Sequence, residues 1–166
     1  GYVGGPTMSV IADKCKHLKI YVVDVNKEKI SAWNNSDLSY LPVYEPGLDD
    51  LIDRTRNKNL FFSNDIESCI ENADMIFISV NTPTKEHGLG AGQASDLKWV
   101  EASARQVKKF SKGKTIVVEK STLPVKTAEM IKKILLDDDN EETLSEKKFS
   151  ILSNPEFLSE GSAIND

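Results

Sequence analysis

A chain of 166 residues with 39% hydrophobic content and a net charge of −5 has the composition of one ordinary globular domain, long enough to bury a substantial core. The acidic balance argues against general nucleic-acid binding, which needs a basic face. No apolar run approaches a membrane span, and no charged-then-apolar targeting segment opens the chain. Two cysteines, Cys15 and Cys69, provide neither a disulfide framework nor metal-ligand spacing; both fall in helical patterns and read as small buried side chains.

The chain opens on Gly-Tyr-Val-Gly-Gly, Gly1 to Gly5. In the dinucleotide fingerprint G-x-G-x-x-G, one glycine makes the tight turn after a strand, the second admits the pyrophosphate to the backbone, and the third allows close helix packing. Gly1 and Gly4 fit the second and third. On this reading the first glycine and the strand before it lie outside the sequence as given. Amides of the helix that follows would face an anion with the positive dipole end behind them. Pro6 is tolerated in a first helical turn, and Val3, Met8, Ile11 and Ala12 form a candidate buried stripe.

Ile20 to Val23 reads as a strand buried on both faces, ending in Asp24. That aspartate stands about twenty residues beyond the glycines, where a carboxylate accepts hydrogen bonds from a ribose diol and repels a 2′-phosphate. Lys27 to Trp33 is a short helix with Asn26 as N-cap. Asn34 to Gly47 carries two prolines and reads as loop; Leu48, Leu51 and Ile52 then repeat at helical spacing. Leu60 to Ser63 is a strand, and Asp65 to Glu71 a helix capped by Asn64 or Asp65.

Met75 to Val80 reads as an interior strand running into Asn81-Thr82-Pro83-Thr84. The glycines 88, 90 and 92 lack the Gly-Lys-Ser/Thr ending of a phosphate loop and read as a connection. Ser95 or Asp96 caps a helix lined by Leu97, Val100, Ala104 and Val107, and the lysines 108, 109, 112 and 114 suit its solvated C-terminal end. Thr115 to Glu119 is a strand turning through Lys120-Ser121-Thr122. Pro124 takes the first position of a helix to about Leu136. Asp137 to Glu142 is an acidic loop, Phe149 to Ser153 the last strand, and Asn154-Pro155-Glu156 the turn out of it.

Apolar runs alternating with amphipathic segments predict βαβ units: an α/β fold with a Rossmann-like, doubly wound parallel sheet. In such a sheet ligands lie outside the C-terminal ends of the strands. Polar residues gather there, at Asp24, Asn81 to Thr84, Ser121-Thr122 and Asn154 to Glu160. Each taken singly is also ordinary turn chemistry; on residues alone, Glu156 reads as the turn after Pro155.

Together, Gly1-Tyr-Val-Gly-Gly-Pro-Thr, Val22-Val-Asp-Val-Asn, Val43-Tyr-Glu-Pro-Gly-Leu, Ile78-Ser-Val-Asn-Thr-Pro-Thr, Glu119-Lys-Ser-Thr and Ser153-Asn-Pro-Glu-Phe-Leu-Ser-Glu-Gly resemble the UDP-glucose/GDP-mannose dehydrogenase family. Gly88-Leu-Gly-Ala-Gly before Ser95-Asp96-Leu97 is similar to its eukaryotic branch. The motifs span the chain in order and cover part of the family's length.

The resemblance implies NAD-dependent, two-step oxidation of UDP-glucose to UDP-glucuronate through a cysteine thioester, in a cytoplasmic enzyme that is a homo-oligomer at full length. It implies that residues 1–166 are a partial NAD-binding domain, with the central helical and UDP-binding domains beyond it. Carried onto this chain, Gly1, Tyr2, Val3 and Gly4 would hold pyrophosphate and Asp24 the ribose. Lys29 would stand where the family usually has arginine, keeping the charge and losing the planar fork. Val80, Asn81, Thr82, Pro83, Thr84, Ser121, Thr122, Leu123 and Glu160 would complete the cofactor site. Glu156 would be the acid/base of thioester hydrolysis, with Thr122 positioning the water, and Glu156, Phe157, Leu158, Ser159 and Glu160 would begin the sugar-binding loop. Nothing resembling the family's nucleophile segment surrounds Cys15 or Cys69, so the fragment alone is expected to be inactive.

The usual strand order would place the strand before Gly1 between those at Ile20 and Met75, and its absence predicts poor stability for these residues alone. Three readings stand: a dehydrogenase for UDP-glucose or a related nucleotide sugar, a non-catalytic dinucleotide-binding module, and a structural βαβ domain.

Overall fold

The computed structural model describes residues 3–87, 91–93, 95–121, 127–137, 147–155, Gly161 and Ile164. The chain forms two compact units, residues 1–69 with 157–166, and residues 70–156.

The first unit opens with α1 (Gly4–Lys14), whose inward face is Gly5, Pro6, Ser9 and Ala12. Small residues there let the helix lie close to its neighbours, and the buried Ser9 hydroxyl is satisfied by the Gly5 carbonyl at 2.8 Å. β1 (Ile20–Val23) leads to α2 (Lys27–Trp33), where Asn26 Oδ1 accepts the Lys29 N–H at 2.9 Å as expected of an N-cap. At the other end of α2, Arg56 Nη1 donates to the carbonyls of Trp33 and Asn35 at 2.8 and 2.7 Å, a cation on the negative end of the helix.

The loop predicted over 34–47 contains a single 3-10 turn, Leu38–Tyr40. Gly47, at φ 83°, then opens α3 (Leu48–Thr55), and β2 (Leu60–Ser63) and α4 (Ile66–Glu71) follow, the first unit ending within α4. Of the two caps weighed for α4, Asp65 holds the Ser68 N–H. The core comprises Ala12, Ile20, Ile30, Trp33, Leu48, Ile52, Leu60 and Phe62, with the Trp33 and Phe62 rings stacked at 4.8 Å.

The second unit contains β3 (Met75–Ile78), α5 (Lys98–Phe110), β4 (Lys114–Glu119), α6 (Thr127–Leu136) and β5 (Lys148–Ser153). Val100, Ala104 and Val107 form the inward stripe of α5; Asp96 Oδ1 accepts the Lys98 N–H at its start. Lys147 Nζ binds the carbonyls of Lys108 and Lys109 at its end. Pro124, expected to open α6, lies outside the described residues.

Among the described residues every pairing between these strands is parallel. β1 pairs with β2, Ile20 opposite Leu60; β4 pairs with β3 on one side, Met75 opposite Ile116, and with β5 on the other, Glu119 opposite Ser153. This is the α/β, parallel-sheet architecture expected. β1 and β3 each have one partner strand among the described residues, so each leaves one edge open.

Three expectations are corrected. β1 is not buried on both faces: Tyr21 is 41% and Val23 37% exposed, on the side where Tyr21 stacks on Phe61 and Lys19 Nζ lies over both rings. β3 is likewise less interior than its composition implies, with Met75 47% exposed. A run of four apolar residues satisfies a one-sided strand as well as a two-sided one. Cys15 and Cys69 are half-buried rather than buried, because Cys15 is the residue just past the end of α1 and Cys69 lies on the short α4.

Candidate functional site

Within the first unit, Val3 precedes α1 in right-handed helical geometry and Gly4 is its first residue. Among the described residues no side chain caps this N-terminus and no acidic residue occupies its first turn. Capping carboxylates and hydroxyls are the usual competitors for these amides, so the turn suits an anion. Gly1 and Tyr2 lie outside the described residues.

The close packing expected of a fingerprint glycine is made by Gly5. A Cβ there would meet Trp33 Cζ2 at 2.3 Å and Cη2 at 2.6 Å, so only glycine lets α1 lie on the Trp33 ring. The pattern assigned this packing to Gly4; the contact of Gly5 is with a residue 28 positions on, which spacing does not reveal.

Asp24 follows β1 and is half-buried. Its Oδ1 accepts the Asn26 N–H at 2.9 Å and its carbonyl accepts Asn64 Nδ2 at 2.7 Å. The side chain is thus fixed by an Asx turn through one oxygen, with Oδ2 lacking a hydrogen-bond partner among the described residues. Lys29 sits on the exposed face of the first turn of α2.

Within the second unit, residues 80–84 leave the end of β3. The Val80 carbonyl accepts the buried Ser121 hydroxyl at 3.0 Å, Thr84 bridges to Ser95, and the Pro83 carbonyl accepts the Asp96 N–H at 2.7 Å. The Lys98 backbone N–H and ammonium hold the Asp96 carboxyl below the usual carboxylate range. Val80 and Thr82 are half-buried, Asn81, Pro83 and Thr84 exposed. Val80 and Ser121 are therefore joined directly, at the C-terminal ends of neighbouring strands.

The side chain that sequence reasoning missed is Glu119, the last residue of β4 and 3% exposed. Its Oε2 accepts the Ser153 hydroxyl at 3.0 Å, its backbone carbonyl accepts the Asn154 N–H at 2.9 Å, and burial raises its carboxyl above the ordinary value of 4.5. A glutamate ending an apolar strand, Ile116-Val117-Val118-Glu119, was the available signal. Thr122, Leu123, Glu156, Phe157, Leu158, Ser159 and Glu160 lie outside the described residues.

Two surface hollows, about 490 Å³ along α6 and about 420 Å³ beside α1 and α3, are lined by none of the predicted site residues. Among the described residues no group of three metal-ligating side chains forms, and no helix is long and apolar enough to cross a membrane.

The NAD-binding domain model of the UDP-glucose/GDP-mannose dehydrogenase family matches residues 1–166. The chain belongs to this family. Family members named UDP-glucose 6-dehydrogenase 1 from Glycine max and UDP-glucose 6-dehydrogenase 4 from Arabidopsis thaliana are 57% and 56% identical to it over 166 residues, all of this chain and 33% of each relative. The chain therefore spans about a third of the length of the curated relatives it matches. Among solved structures, a GDP-mannose dehydrogenase ternary complex from Pseudomonas aeruginosa superposes with a TM-score of 0.81 at 29% identity, covering 100% of this chain and 36% of that one. An NDP-N-acetyl-D-galactosaminuronic acid dehydrogenase from Methanosarcina mazei gives 0.80 at 26% identity, covering 99% and 34%. The cofactor of the family domain is NAD, and an uncapped α1 start free of acidic side chains, followed by an anchored carboxylate after β1, fits it.

Proposed function

We propose that this chain is the partial NAD-binding domain of a nucleotide-sugar dehydrogenase that oxidises the C6 alcohol of UDP-glucose to the carboxylate of UDP-glucuronate in two steps. The observation that carries the reading is the pairing of an open α1 N-terminus with Asp24, held by Asn26, in a chain matched by the family over its whole length. When bound, NAD supplies the hydride acceptor for each step.

In this reading the amides of Gly1 to Gly4 hold the pyrophosphate, and Asp24 accepts from the adenosine ribose while repelling a 2′-phosphate. Lys29 contributes charge near the ribose without an arginine's fork. Val80 to Thr84, Ser121 to Leu123 and Glu160 complete the cofactor's surroundings, with Ser121 fixing Val80. The nucleophilic cysteine belongs to a segment beyond Asp166; Cys15 and Cys69 are bystanders. Glu156 takes a proton from the water that hydrolyses the thioester, Thr122 orients that water, and Phe157 to Glu160 contact the sugar. The central helical and UDP-binding domains complete a cytoplasmic homo-oligomer.

A related nucleotide sugar is the second reading, favoured by the fold likeness to dehydrogenases of GDP-mannose and of an N-acetylated sugar nucleotide. The test is calorimetric titration of NAD, with NADP as control, into the full-length enzyme, followed by NADH release with UDP-glucose and GDP-mannose. NAD binding over NADP and turnover of UDP-glucose support the first reading; turnover of GDP-mannose alone supports the second. Absence of NAD binding by folded protein overturns both.

A further inference from the structure

Glu119 occupies a position at which the fold disfavours a carboxylate. Val117 and Val118 before it are buried, Glu119 itself is 3% exposed, and its Oε1 is buried with no hydrogen-bond partner among the described residues. Taking a carboxyl out of water in this way is costly unless it is well paired. Lys120 acts on it through charge alone, without a hydrogen bond, and burial outweighs the groups that favour ionisation, raising the carboxyl above its ordinary range.

What the side chain provides is direction. Oε2 accepts the Ser153 hydroxyl at 3.0 Å. Ser121 donates its hydroxyl to the Val80 carbonyl at 3.0 Å. The C-terminal ends of β3, β4 and β5 are thus tied by side-chain bonds on both sides of β4, Ser121 to Val80 toward β3 and Ser153 to Glu119 toward β5. The strand ladder alone adds the bond from the Asn154 N–H to the Glu119 carbonyl, which any residue at 119 would keep. The side-chain bond to Ser153 is what glutamate adds, and it acts three residues before Glu156.

We propose that Glu119 is a positioning residue, holding the Ser153–Asn154 turn so that the following Glu156 meets the hydrolytic water. The inference rests on the dehydrogenase reading above. In the step concerned, water adds to the thioester carbonyl, the carbon–sulfur bond breaks, and carboxylate and thiol are released with no change of oxidation state. Glu156 takes one proton from water and returns it to sulfur, and the other leaves to solvent as the new carboxylic acid ionises. Both hydride transfers precede this step.

The test uses the full-length enzyme, its Glu119→Ala, Glu119→Gln and Ser153→Ala variants, and rapid-mixing measurement of NADH. Glu119→Ala is expected to release a burst of about two NADH per site and then turn over on the order of tenfold more slowly than wild type, since small misplacement of a reacting group is expensive in rate. NAD affinity and the KM for UDP-glucose stay within about twofold, a pattern that a general loss of structure would not produce. Glu119→Gln, whose carbonyl oxygen still accepts from Ser153, restores most of the steady-state rate. Ser153→Ala, which removes one exposed hydroxyl, reproduces the burst and carries the test if Glu119→Ala fails to fold. Unchanged turnover in Ser153→Ala, or slowing without a burst, overturns the proposal. A wild-type enzyme that yields no NADH from UDP-glucose overturns the reading of function, and this inference with it.

Discussion

The backbone N–H of Gly161 donates to Oε1 of Glu45 at 2.9 Å, joining positions 116 residues apart. Glu45 is 2% exposed, lies just ahead of the turn at Gly47 that opens α3, and its own carbonyl accepts the Leu48 N–H at 3.0 Å. The bond therefore fastens the chain just beyond Glu160 to the first unit. Replacing Glu45 with alanine removes the acceptor of an exposed amide that can turn to water instead, and is expected to cost about 0.5–1.5 kcal/mol. Glu45→Gln, which keeps an acceptor oxygen, should cost less. Urea unfolding of the two variants measures the difference; equal midpoints would show that the acceptor is immaterial.

Asp24→Ala should weaken NAD binding by about tenfold or more, the scale of a lost hydrogen bond to a charged group. Asp24→Asn should lose less and should discriminate less strongly against NADP, because the repulsion of a 2′-phosphate disappears with the charge. Titration calorimetry with both dinucleotides reads both effects. Retention of full NAD affinity by Asp24→Ala would remove the ribose from this position.

Gly5→Ala adds a methyl group 2.3 Å from Trp33 Cζ2. In a helix the exchange ordinarily gains up to about 1 kcal/mol, but overpacking against an aromatic ring typically costs about 1–3 kcal/mol, so the variant is expected to melt at a lower temperature. Combining it with Trp33→Leu should relieve the clash and give a total loss smaller than the sum of the two single losses. Additive losses would mean that the two residues do not touch.

The raised carboxyl of Glu119 predicts a pH dependence with a definite sign. Folding favours the protonated form, so the contribution is fully present below the ordinary value of 4.5 and is lost as pH rises through the higher folded-state value. Glu119→Gln cannot titrate, and its melting temperature should therefore rise relative to wild type between about pH 4 and pH 7. Asp13, Asp37 and Asp96 are shifted the other way, by the Arg54 side chain, by Ser39 and by Lys98 respectively, and their acid loss is common to both proteins. A constant difference across the range would rule out a titrating Glu119.

The helices were legible because their determinants are local. Asn26 ahead of Lys27 to Trp33, and the spacing of Val100, Ala104 and Val107, need no partner elsewhere to be read. Strand positions were legible too, Leu60 to Ser63 to the residue, whereas the exposure of Tyr21, Val23 and Met75 was not, since it depends on what covers each face of a sheet. In the site, Asp24 and the residues at strand ends stood out by motif. Glu45, Gly5 and Glu119 lie within the same motifs, but what each does was not legible, because each acts through a residue distant in sequence: Gly161, Trp33 and Ser153. Sequence spacing carries no record of such contacts.

The all-parallel pairing also sets how the chain acquires its structure. A parallel pair cannot close through a hairpin, and Ile20 pairs with Leu60, about forty residues later. Loop-closure entropy must be overcome before the first inter-strand bond forms, which places folding toward the slow end for a chain of this size. At ribosomal speeds of about 5–20 residues per second, those forty residues take roughly 2–8 seconds to synthesise. Throughout that interval the nascent Ile20–Val23 segment lacks the partner that Leu60–Ser63 later supplies.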